Sequence, residues 1–290
     1  MNLTSSLVSI HERVKSASRS KETDYYDSNG LLHCGICKNY LEHIVDVDRI
    51  KKPDDLTEEQ RATWEANMSF FRGRKLRVVC ACHEAERKAF EKKQRQDRIL
   101  ENIKACFRRY PEYINACFQL DDNKESRESS VARQFAERFG PNVRGQGKKL
   151  LFWGAVGAGK TYLAAAVANA ILNQGFDVRF TTINELLALS SSMFAPINVI
   201  AQGLCDYDLV VIDDFGTEVL SEANKSKTYQ IFSALAERKV AYIVTTNLPP
   251  ERLNTPTDDY EARIFSRILE SCTKLEVKSP KGDRRKYHGT

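Results

Sequence analysis

The sequence predicts an α/β fold built on a central parallel sheet. Apolar runs that favour strands alternate with helix-forming stretches from Leu150 toward the carboxyl end. One of these runs leads into a glycine-rich loop, and two later runs end in acidic or amide side chains. Alternating strands and helices form parallel sheets with right-handed crossovers, and such sheets carry their ligand sites at the carboxyl ends of the strands.

Length and composition agree with this fold class. The chain has 290 residues and a formal net charge of +5, which suits one full α/β domain and a smaller region. No apolar run approaches the roughly eighteen residues that cross a bilayer, and the start of the chain lacks the form of a secretory signal. We therefore expect a cytoplasmic protein without a membrane partner.

Four cysteines form two close pairs after an amino-terminal tail at residues 1–30. They are Cys34, Cys37, Cys80 and Cys82. Each pair can present two thiolates to a tetrahedral zinc ion, although the second pair is C-x-C and the pairs are farther apart than in common zinc ribbons. The sequence predicts a zinc-binding domain at residues 31–84, with reduced, unliganded cysteines as the alternative. His33 and His83 adjoin the pairs, and the fourth ligand stays open between Cys82 and His83.

The region between the pairs is an insertion in which Asp54 or Thr57 can cap a short helix running toward Trp64. Four further cysteines stand alone, and we expect them to be packing residues. These are Cys106, Cys117, Cys205 and Cys272.

A basic helix follows the second cysteine pair. Residues 85–109 contain nine Lys or Arg against four acidic residues, a net of +5 without Gly or Pro. Such a helix can contact nucleic acid phosphates or an acidic protein surface, and an ordinary solvated helix is the alternative. We predict a basic helical linker at residues 85–130, which ends in a polar break over residues 121–130.

The ATPase region is predicted at residues 131–290, and it opens with a helix from Val131 to Phe139 that Gly140-Pro141 ends. The strand Leu150–Trp153 then runs into the pattern G-x-x-x-x-G-K-T. The loop residues are Gly154, Ala155, Val156, Gly157, Ala158, Gly159, Lys160 and Thr161. Its glycines let backbone N–H groups converge on a phosphate chain, while Lys160 reaches the β and γ phosphates and Thr161 a magnesium ion. The sequence therefore predicts a nucleoside triphosphate site.

Two later strands place polar side chains at the same edge of the sheet. The strand over residues 207–216 carries Asp213, suited to hold Mg²⁺, and Asp214, suited to polarise the attacking water. The strand over residues 241–247 ends in Asn247, the candidate for sensing the γ phosphate or orienting the water. Polar turns that close core strands are the alternative for both. The remaining pattern predicts a strand at residues 178–182 and helices near residues 185–189 and at residues 222–238.

In this order the motifs resemble the DnaC/DnaI-type helicase loaders, which are AAA+ ATPases of bacteria and their phages within the IstB-like superfamily. The resemblance rests on Phe152–Thr161, Ile212–Gly216, Thr245–Leu248 and Ala262–Leu269. It covers the chain from about Val131 onward, and the paired cysteines resemble the zinc-binding amino-terminal domain of DnaI-like members. It implies an AAA+ fold, ATP, Mg²⁺ and Zn²⁺ as cofactors, and a place in a bacterial cell or phage-infected bacterium.

The resemblance also assigns roles to arginines near the carboxyl end. Arg267 matches the arginine finger that reaches a neighbouring subunit's ATP, and Arg263, one turn earlier, would support it. A surface salt-bridging pair is the alternative for both. Arg284 or Arg285 falls near the family's second sensor arginine. Asp214 stands where most AAA+ proteins carry glutamate, which implies slow ATP hydrolysis.

The function that the resemblance implies is ATP-dependent loading of a hexameric replicative helicase onto single-stranded DNA during replication initiation. The zinc-bearing region would hold the helicase, while the AAA+ region self-associates and contacts single-stranded DNA through residues 190–203. Two alternatives stay open. One is a transposase-helper ATPase of the IstB type that acts on duplex DNA, and the other is an ATP-gated adaptor without hydrolysis.

Overall fold

A computed structural model divides the chain into two compact units, residues 1–94 and residues 95–290. The structure describes residues 23–50, 52, 56–78, 80–191, 195–216 and 221–278. The candidate second sensors Arg284 and Arg285 lie outside the described residues, as do parts of the segment at residues 190–203. Among the helices of the described residues, none has the length and apolar character that a membrane span requires.

The first unit contains two short antiparallel ribbons. Their strands are β1 at Tyr25–Tyr26 with β2 at Leu32–His33, and β3 at Glu42–Ile44 with β4 at Lys75–Arg77. Between β3 and β4, helix α1 spans Glu58–Phe71 and begins at a capping box in which Thr57 and Gln60 bond each other's backbone N–H groups. The predicted cap at Thr57 is therefore present, and the helix runs farther than the sequence suggested.

Helix α2 spans Ala81–Cys106 and begins within the second cysteine pair. The boundary between the two units falls inside this helix, after Gln94. Beyond it, Phe107, Ala116 and Phe118 are buried in the apolar core of the second unit. The limits of a separate linker at residues 85–130 stay a prediction, but part of that stretch supplies core side chains.

The second unit is built on a five-stranded parallel sheet in the order β6-β7-β8-β5-β9. The strands are β5 at Lys149–Trp153, β6 at Val178–Thr182, β7 at Leu209–Phe215, β8 at Ala241–Thr246 and β9 at Cys272–Glu276. This sheet confirms the predicted fold class. Because β5, β7 and β8 are neighbours, the segments that follow them meet at one edge.

After α2, eight further α-helices accompany the sheet within the described part of the second unit. They are α3 at Arg127–Glu137, α4 at Phe139–Asn142, α5 at Lys160–Asn173, α6 at Ile183–Ser191, α7 at Ile197–Leu204, α8 at Glu222–Glu237, α9 at Pro250–Leu253 and α10 at Asp259–Leu269. The predicted polar break over residues 121–130 is wrong at its end, because the Ser126 hydroxyl accepts the Ser129 N–H and starts α3 there. Gly140-Pro141 lies inside the short α4 rather than ending α3.

Apolar side chains cover both faces of the sheet. Leu150 and Phe152 of β5 belong to one buried cluster with the alanine-rich α5, whereas Leu151 belongs to a second cluster with α8 and α10. Successive side chains of a strand point to opposite faces, so one strand feeds both clusters. Strands buried on both faces read as continuous apolar runs, which is why the sequence pattern identified them.

Candidate nucleotide-binding site and cysteine cluster

The loop between β5 and α5 has the backbone of a phosphate cradle. Gly157 and Gly159 have φ angles of 77° and 99°, a region that L side chains rarely adopt. Gly159 caps the amino end of α5 without a side-chain hydrogen bond, and the first N–H groups of an α-helix have no acceptor within the helix. The partial positive charge of these groups favours a bound phosphate.

Gly154 is required by a close approach of two strands. Its φ is 146°, and a Cβ atom at this position would lie 2.4 Å from the Val277 carbonyl oxygen. The Val277 N–H donates to the Trp153 carbonyl at 2.7 Å, which continues the pairing of β5 with the edge strand β9. The first loop glycine therefore joins the cradle to the sheet edge.

The predicted loop lysine lies between the loop and the next strand. Lys160 Nζ donates to the carbonyls of Gly154 at 3.0 Å and Ala155 at 2.8 Å, and to Asn247 Oδ1 at 2.7 Å. The Asn247 amide group in turn donates to Asp214 Oδ1 at 3.4 Å. The structure thus brings the loop lysine, the candidate sensor and the candidate water-polarising carboxylate into one chain of contacts.

The two adjacent aspartates have opposite environments. Asp213 is 6% exposed and accepts a 2.6 Å hydrogen bond from Thr245 Oγ1, whereas Asp214 is exposed. The side chains of the two aspartates diverge because the pairing of β7 with β8 is irregular at this point. The register shifts after Ile212, and Asp214 takes a positive φ of 54°. The Asp214 N–H donates to Thr245 Oγ1 at 2.8 Å, so one threonine fixes both residues.

Burial is the main cause that raises the pKa of Asp213, and the neighbouring charge of Asp214 adds to it. Hydrogen bonds from Thr245 and Thr161 and the charge of Lys160 act in the opposite direction. A buried carboxylate with hydroxyl neighbours is a hard oxygen donor set of the kind that Mg²⁺ prefers. Thr161 and Asp213, the two predicted magnesium ligands, are therefore adjacent and chemically suited to the ion.

These residues line a cavity of about 710 Å³. Its walls are Tyr110, Glu112, Tyr113, Leu120, Asp122, Val156, Gly157, Gly159, Lys160, Thr161, Tyr162, Asp213, Asp214 and Asn247. Five of the lining residues come from residues 110–122, which the sequence assigned to the linker. Sequence reasoning missed this wall, although the aromatic residues Tyr110 and Tyr113 were an available signal.

The wall is held to helix α5 by specific hydrogen bonds. Tyr162 exchanges two hydrogen bonds with the Cys117 backbone, and Asn169 Nδ2 donates to the carbonyls of Tyr113 and Ala116, both at 2.9 Å. At the other side of the wall, the Glu185 carboxylate accepts from the hydroxyl of Tyr110 at 3.0 Å. The wall is thereby fixed to α5 and α6.

The two candidate finger arginines lie on α10 and do not line this cavity. Arg263 is exposed, and the guanidinium of Arg267 lies 3.7 Å from the Glu270 carboxylate. The Arg267 carbonyl accepts hydrogen bonds from Lys149 and Tyr242, near the amino-terminal ends of β5 and β8. The cavity lies at the carboxyl ends of the same strands, about 16 Å along β5.

The four paired cysteines converge in the first unit. Their sulfur atoms all lie within 4.8 Å of one another. Cys82 Sγ is 3.0 Å from Cys80 Sγ, 3.2 Å from Cys34 Sγ and 3.5 Å from Cys37 Sγ. In a tetrahedral site with Zn–S bonds of about 2.3 Å, the sulfurs lie about 3.8 Å apart. The four sulfurs therefore fit a zinc ion after a small expansion.

The thiols of this cluster influence one another's ionisation. Burial opposes the ionisation of Cys34, but hydrogen bonds from the Cys37 backbone and the Cys82 thiol outweigh it and lower the Cys34 pKa to about 6. Hydrogen bonds with Cys80 and Cys34 raise the Cys82 pKa to about 12. A thiolate at one cysteine thus makes ionisation of a neighbouring thiol less favourable. A divalent cation among the sulfurs would offset this repulsion between thiolates.

The two histidines beside the pairs differ. The ring of His33 is occupied by the Lys38 carbonyl at 3.0 Å and the Asp27 carboxylate at 3.1 Å, so it does not join the cluster. His83 is buried, and its Nε2 lies 3.8 Å from Cys34 Sγ and 3.7 Å from Asp24 Oδ1. His83 therefore borders the cluster together with Asp24, which makes a second possible ligand group with Cys34.

A protein-family model described as IstB-like ATP binding protein matches residues 90–288, more than half of the chain. The chain belongs to this family of ATP-binding proteins, and the predicted resemblance is confirmed. The matched region contains the phosphate loop, both aspartates, Asn247 and the arginines of α10.

Two curated relatives differ in their named functions. An insertion sequence ATP-binding protein of Sinorhizobium fredii is 30% identical over 153 residues, which cover 51% of each chain. The replicative helicase loader DnaC of Escherichia coli is 29% identical over 128 residues, which cover 43% of this chain and 51% of DnaC. The chain thus spans about half the length of the curated relatives it matches.

Among solved structures, a crystal structure of DnaI is similar with a TM-score of 0.51 and 23% identity. The similar region covers 60% of this chain and 93% of the DnaI chain. This likeness shows the fold alone, and it agrees with the predicted AAA+ architecture.

Proposed function

We propose that the second unit binds ATP with Mg²⁺ and hydrolyses it. The observation that supports the proposal is the convergence of Lys160, Asn247, Asp213 and Asp214 on one cavity, where Asn247 contacts both Lys160 and Asp214. The loop amides and Lys160 would hold the phosphates, and Thr161 with Asp213 would hold the metal ion. Mg²⁺ would supply charge neutralisation on the β and γ phosphates when it is bound.

Asp214 is the residue we assign to the attacking water. It is exposed at the cavity, it lacks the deep burial of Asp213, and Asn247 Nδ2 lies within 3.4 Å of its carboxylate. Asn247 can therefore orient the water or bind the γ phosphate, after it exchanges its contact with Lys160 for one with nucleotide.

Hydrolysis would require a second copy of the chain. Arg267 and Arg263 lie on α10, which is tied to the amino-terminal ends of the strands, and neither lines the cavity of its own subunit. A guanidinium supplied by a neighbouring subunit would complete the site. We therefore propose self-association through the AAA+ unit.

We further propose that the whole protein loads a hexameric replicative helicase onto single-stranded DNA. The named activity of DnaC and the cysteine cluster in the first unit support this function. The cluster would hold one zinc ion through Cys34, Cys37, Cys80 and Cys82. We assign the fourth position to Cys82 because its sulfur contacts the other three, whereas His83 is paired with Asp24.

The first experiment is co-elution of the full chain with the replicative helicase from the same source, with and without ATP, followed by transfer of the helicase to circular single-stranded DNA. A complex that deposits the helicase in an ATP-dependent manner supports the loader. A Cys34→Ser/Cys82→Ser variant should lose helicase binding but keep ATP binding, because the two sites lie in different units.

A second candidate function is a transposase helper that acts on duplex DNA. Its support is the insertion sequence ATP-binding protein, whose match is longer than that of DnaC. Absence of a helicase complex together with ATP-dependent binding to duplex DNA would favour this function over the loader.

A further inference from the structure

Two side chains of the sheet converge on the backbone of the candidate arginine finger. The Tyr242 hydroxyl donates to the Arg267 carbonyl at 2.6 Å, and Lys149 Nζ donates to the same carbonyl at 3.0 Å and to the Glu270 carbonyl at 2.9 Å. Lys149 is 5% exposed and Tyr242 is fully buried. A lysine of a core strand is rarely buried unless its charge is paired.

The end of α10 explains why Lys149 is stable there. The last carbonyls of a helix have no intrahelical partner and carry a partial negative charge. Lys149 satisfies two of the carbonyls at this end, and the Glu270 carboxylate lies 4.0 Å away. The ammonium group also lies 5.3 Å from the centre of the Tyr242 ring, within the range of a cation–π contact.

The same pair connects the finger to the nucleotide cradle. Lys149 of β5 and Tyr242 of β8 are direct partners in the sheet register. Strand β5 continues into the phosphate loop at Gly154, and β8 continues to Asn247. Two hydrogen-bonded strands therefore hold the Arg267 peptide at one end and the phosphate loop with its candidate sensor at the other.

The charged end of the Arg267 side chain lies beside this anchor, because it shares the Glu270 carboxylate with Lys149. Its guanidinium contacts the Glu270 carboxylate at 3.7 Å and the Tyr229 hydroxyl, and the side chain is 36% exposed. The backbone is fixed while the charged end stays accessible, as a group that acts on another subunit requires.

We propose that Lys149 and Tyr242 are positioning residues that fix Arg267 for action on the ATP of a second copy of this chain. This inference rests on the proposed function, because it requires Arg267 to be a finger in trans. Loss of either anchor lets the end of α10 shift, and displacement of a charged group by about 1 Å can slow a reaction about a hundredfold.

The test uses two kinds of full-length subunit. Lys160→Ala subunits supply a finger but no working nucleotide site, and Arg267→Ala subunits supply a nucleotide site but no finger. An equimolar mixture should hydrolyse ATP, whereas each subunit alone should not. Tyr242→Phe is then introduced into the finger donor in one mixture and into the nucleotide-site subunit in another, and Lys149→Met is treated in the same way.

We expect each substitution to lower hydrolysis at least about tenfold in the finger donor and less than about twofold in the nucleotide-site subunit. Equal loss in both placements, or no loss in the donor, would overturn the positioning role and indicate general destabilisation or a passive contact. A reference mixture with no activity would instead overturn the finger in trans, and this inference with it. Tyr207→Phe in the donor is the matched control, because that ring packs on the same apolar cluster.

Discussion

Two consecutive carboxylates in this chain have different chemistry because their backbone surroundings differ. Asp213 is buried in β7 beside the hydroxyl of Thr245, while Asp214, at the irregularity of the same strand, takes a left-handed conformation and faces the cavity. A buried oxygen donor suits a metal ligand, and an exposed one can accept a proton from water. The functions we assign to them follow from this difference.

Asp214→Asn should separate ATP binding from ATP hydrolysis. The amide keeps the size of the side chain but cannot accept the proton of the attacking water, so we expect nucleotide affinity within about threefold of wild type and a hydrolysis rate lower by about 10² or more. Single-turnover hydrolysis with saturating subunit checks this. Asp208→Asn, at the residue before β7, is the control. An unchanged rate for Asp214→Asn would show that Asp214 does not activate the water, whereas absence of hydrolysis by the wild type would favour the non-hydrolysing adaptor.

Glu185 should make a pH-dependent contribution to stability. Burial opposes its ionisation, but hydrogen bonds from Thr181, Tyr110 and Arg109 outweigh burial and lower its pKa below the ordinary 4.5. A carboxyl with a lowered folded-state pKa stabilises the fold fully above the unfolded-state pKa, and this contribution is lost as the pH falls toward the folded-state pKa.

The melting temperature of Glu185→Gln should therefore be a few degrees below that of wild type from about pH 6 to 8, and the difference should shrink below about pH 4.5. Thermal unfolding across this range measures the difference, with Glu251→Gln, an exposed position on the short helix α9, as the control. A difference that stays constant to the lowest pH would contradict the assigned cause.

At the scale of elements, the sheet edge and the phosphate loop depend on one glycine. The pairing of β9 with β5 continues past Trp153 only because Gly154 has no side chain at the Val277 carbonyl. The candidate phosphate loop and the edge strand that completes the sheet are thus coupled by a steric requirement.

Gly154→Ala should destabilise the second unit by about 1–3 kcal/mol, because the new methyl group forces β9 or the loop to shift. Gly145→Ala is the matched control, since Gly145 also has a positive φ of 68° but a Cβ added there would have no atom within 4 Å. Chemical denaturation measures the free energy of unfolding of both variants. If Gly154→Ala lowers the free energy of unfolding no more than Gly145→Ala does, the contact with the Val277 carbonyl does not destabilise the variant.

At the scale of the whole molecule, we expect the two units to depend on different sources of stability. The second unit contains two extensive apolar clusters that cover both faces of its sheet. The cysteine region has a small buried cluster of Leu32, Cys34, Leu41 and Cys80. Regions of this size usually need a metal ion or cross-links to remain folded.

Removal of zinc with a chelator under reducing conditions should therefore unfold the first unit and leave ATP binding by the second unit intact. Protein-bound zinc, amide hydrogen exchange in the cysteine region and affinity for a fluorescent ATP analogue would be measured on the same sample. Protection of residues 31–50 that survives complete metal loss would contradict a structural zinc site. Addition of Zn²⁺ should restore protection in wild type but not in Cys34→Ser.

The sequence by itself determined the parallel sheet, the phosphate loop and the polar side chains at the strand ends, because buried strands read as apolar runs and the loop needs glycines at fixed spacing. Only the tertiary structure decided which distant residues complete these features. Residues 110–122 were predicted as part of the basic helical linker, but several of them line the cavity, since Asn169 and Tyr162 hold the backbone of this segment. Lys149 lies just before the strand predicted at Leu150–Trp153, and its burial against the end of α10 depends on a helix more than a hundred residues away, because long-range packing leaves no local periodicity in the sequence.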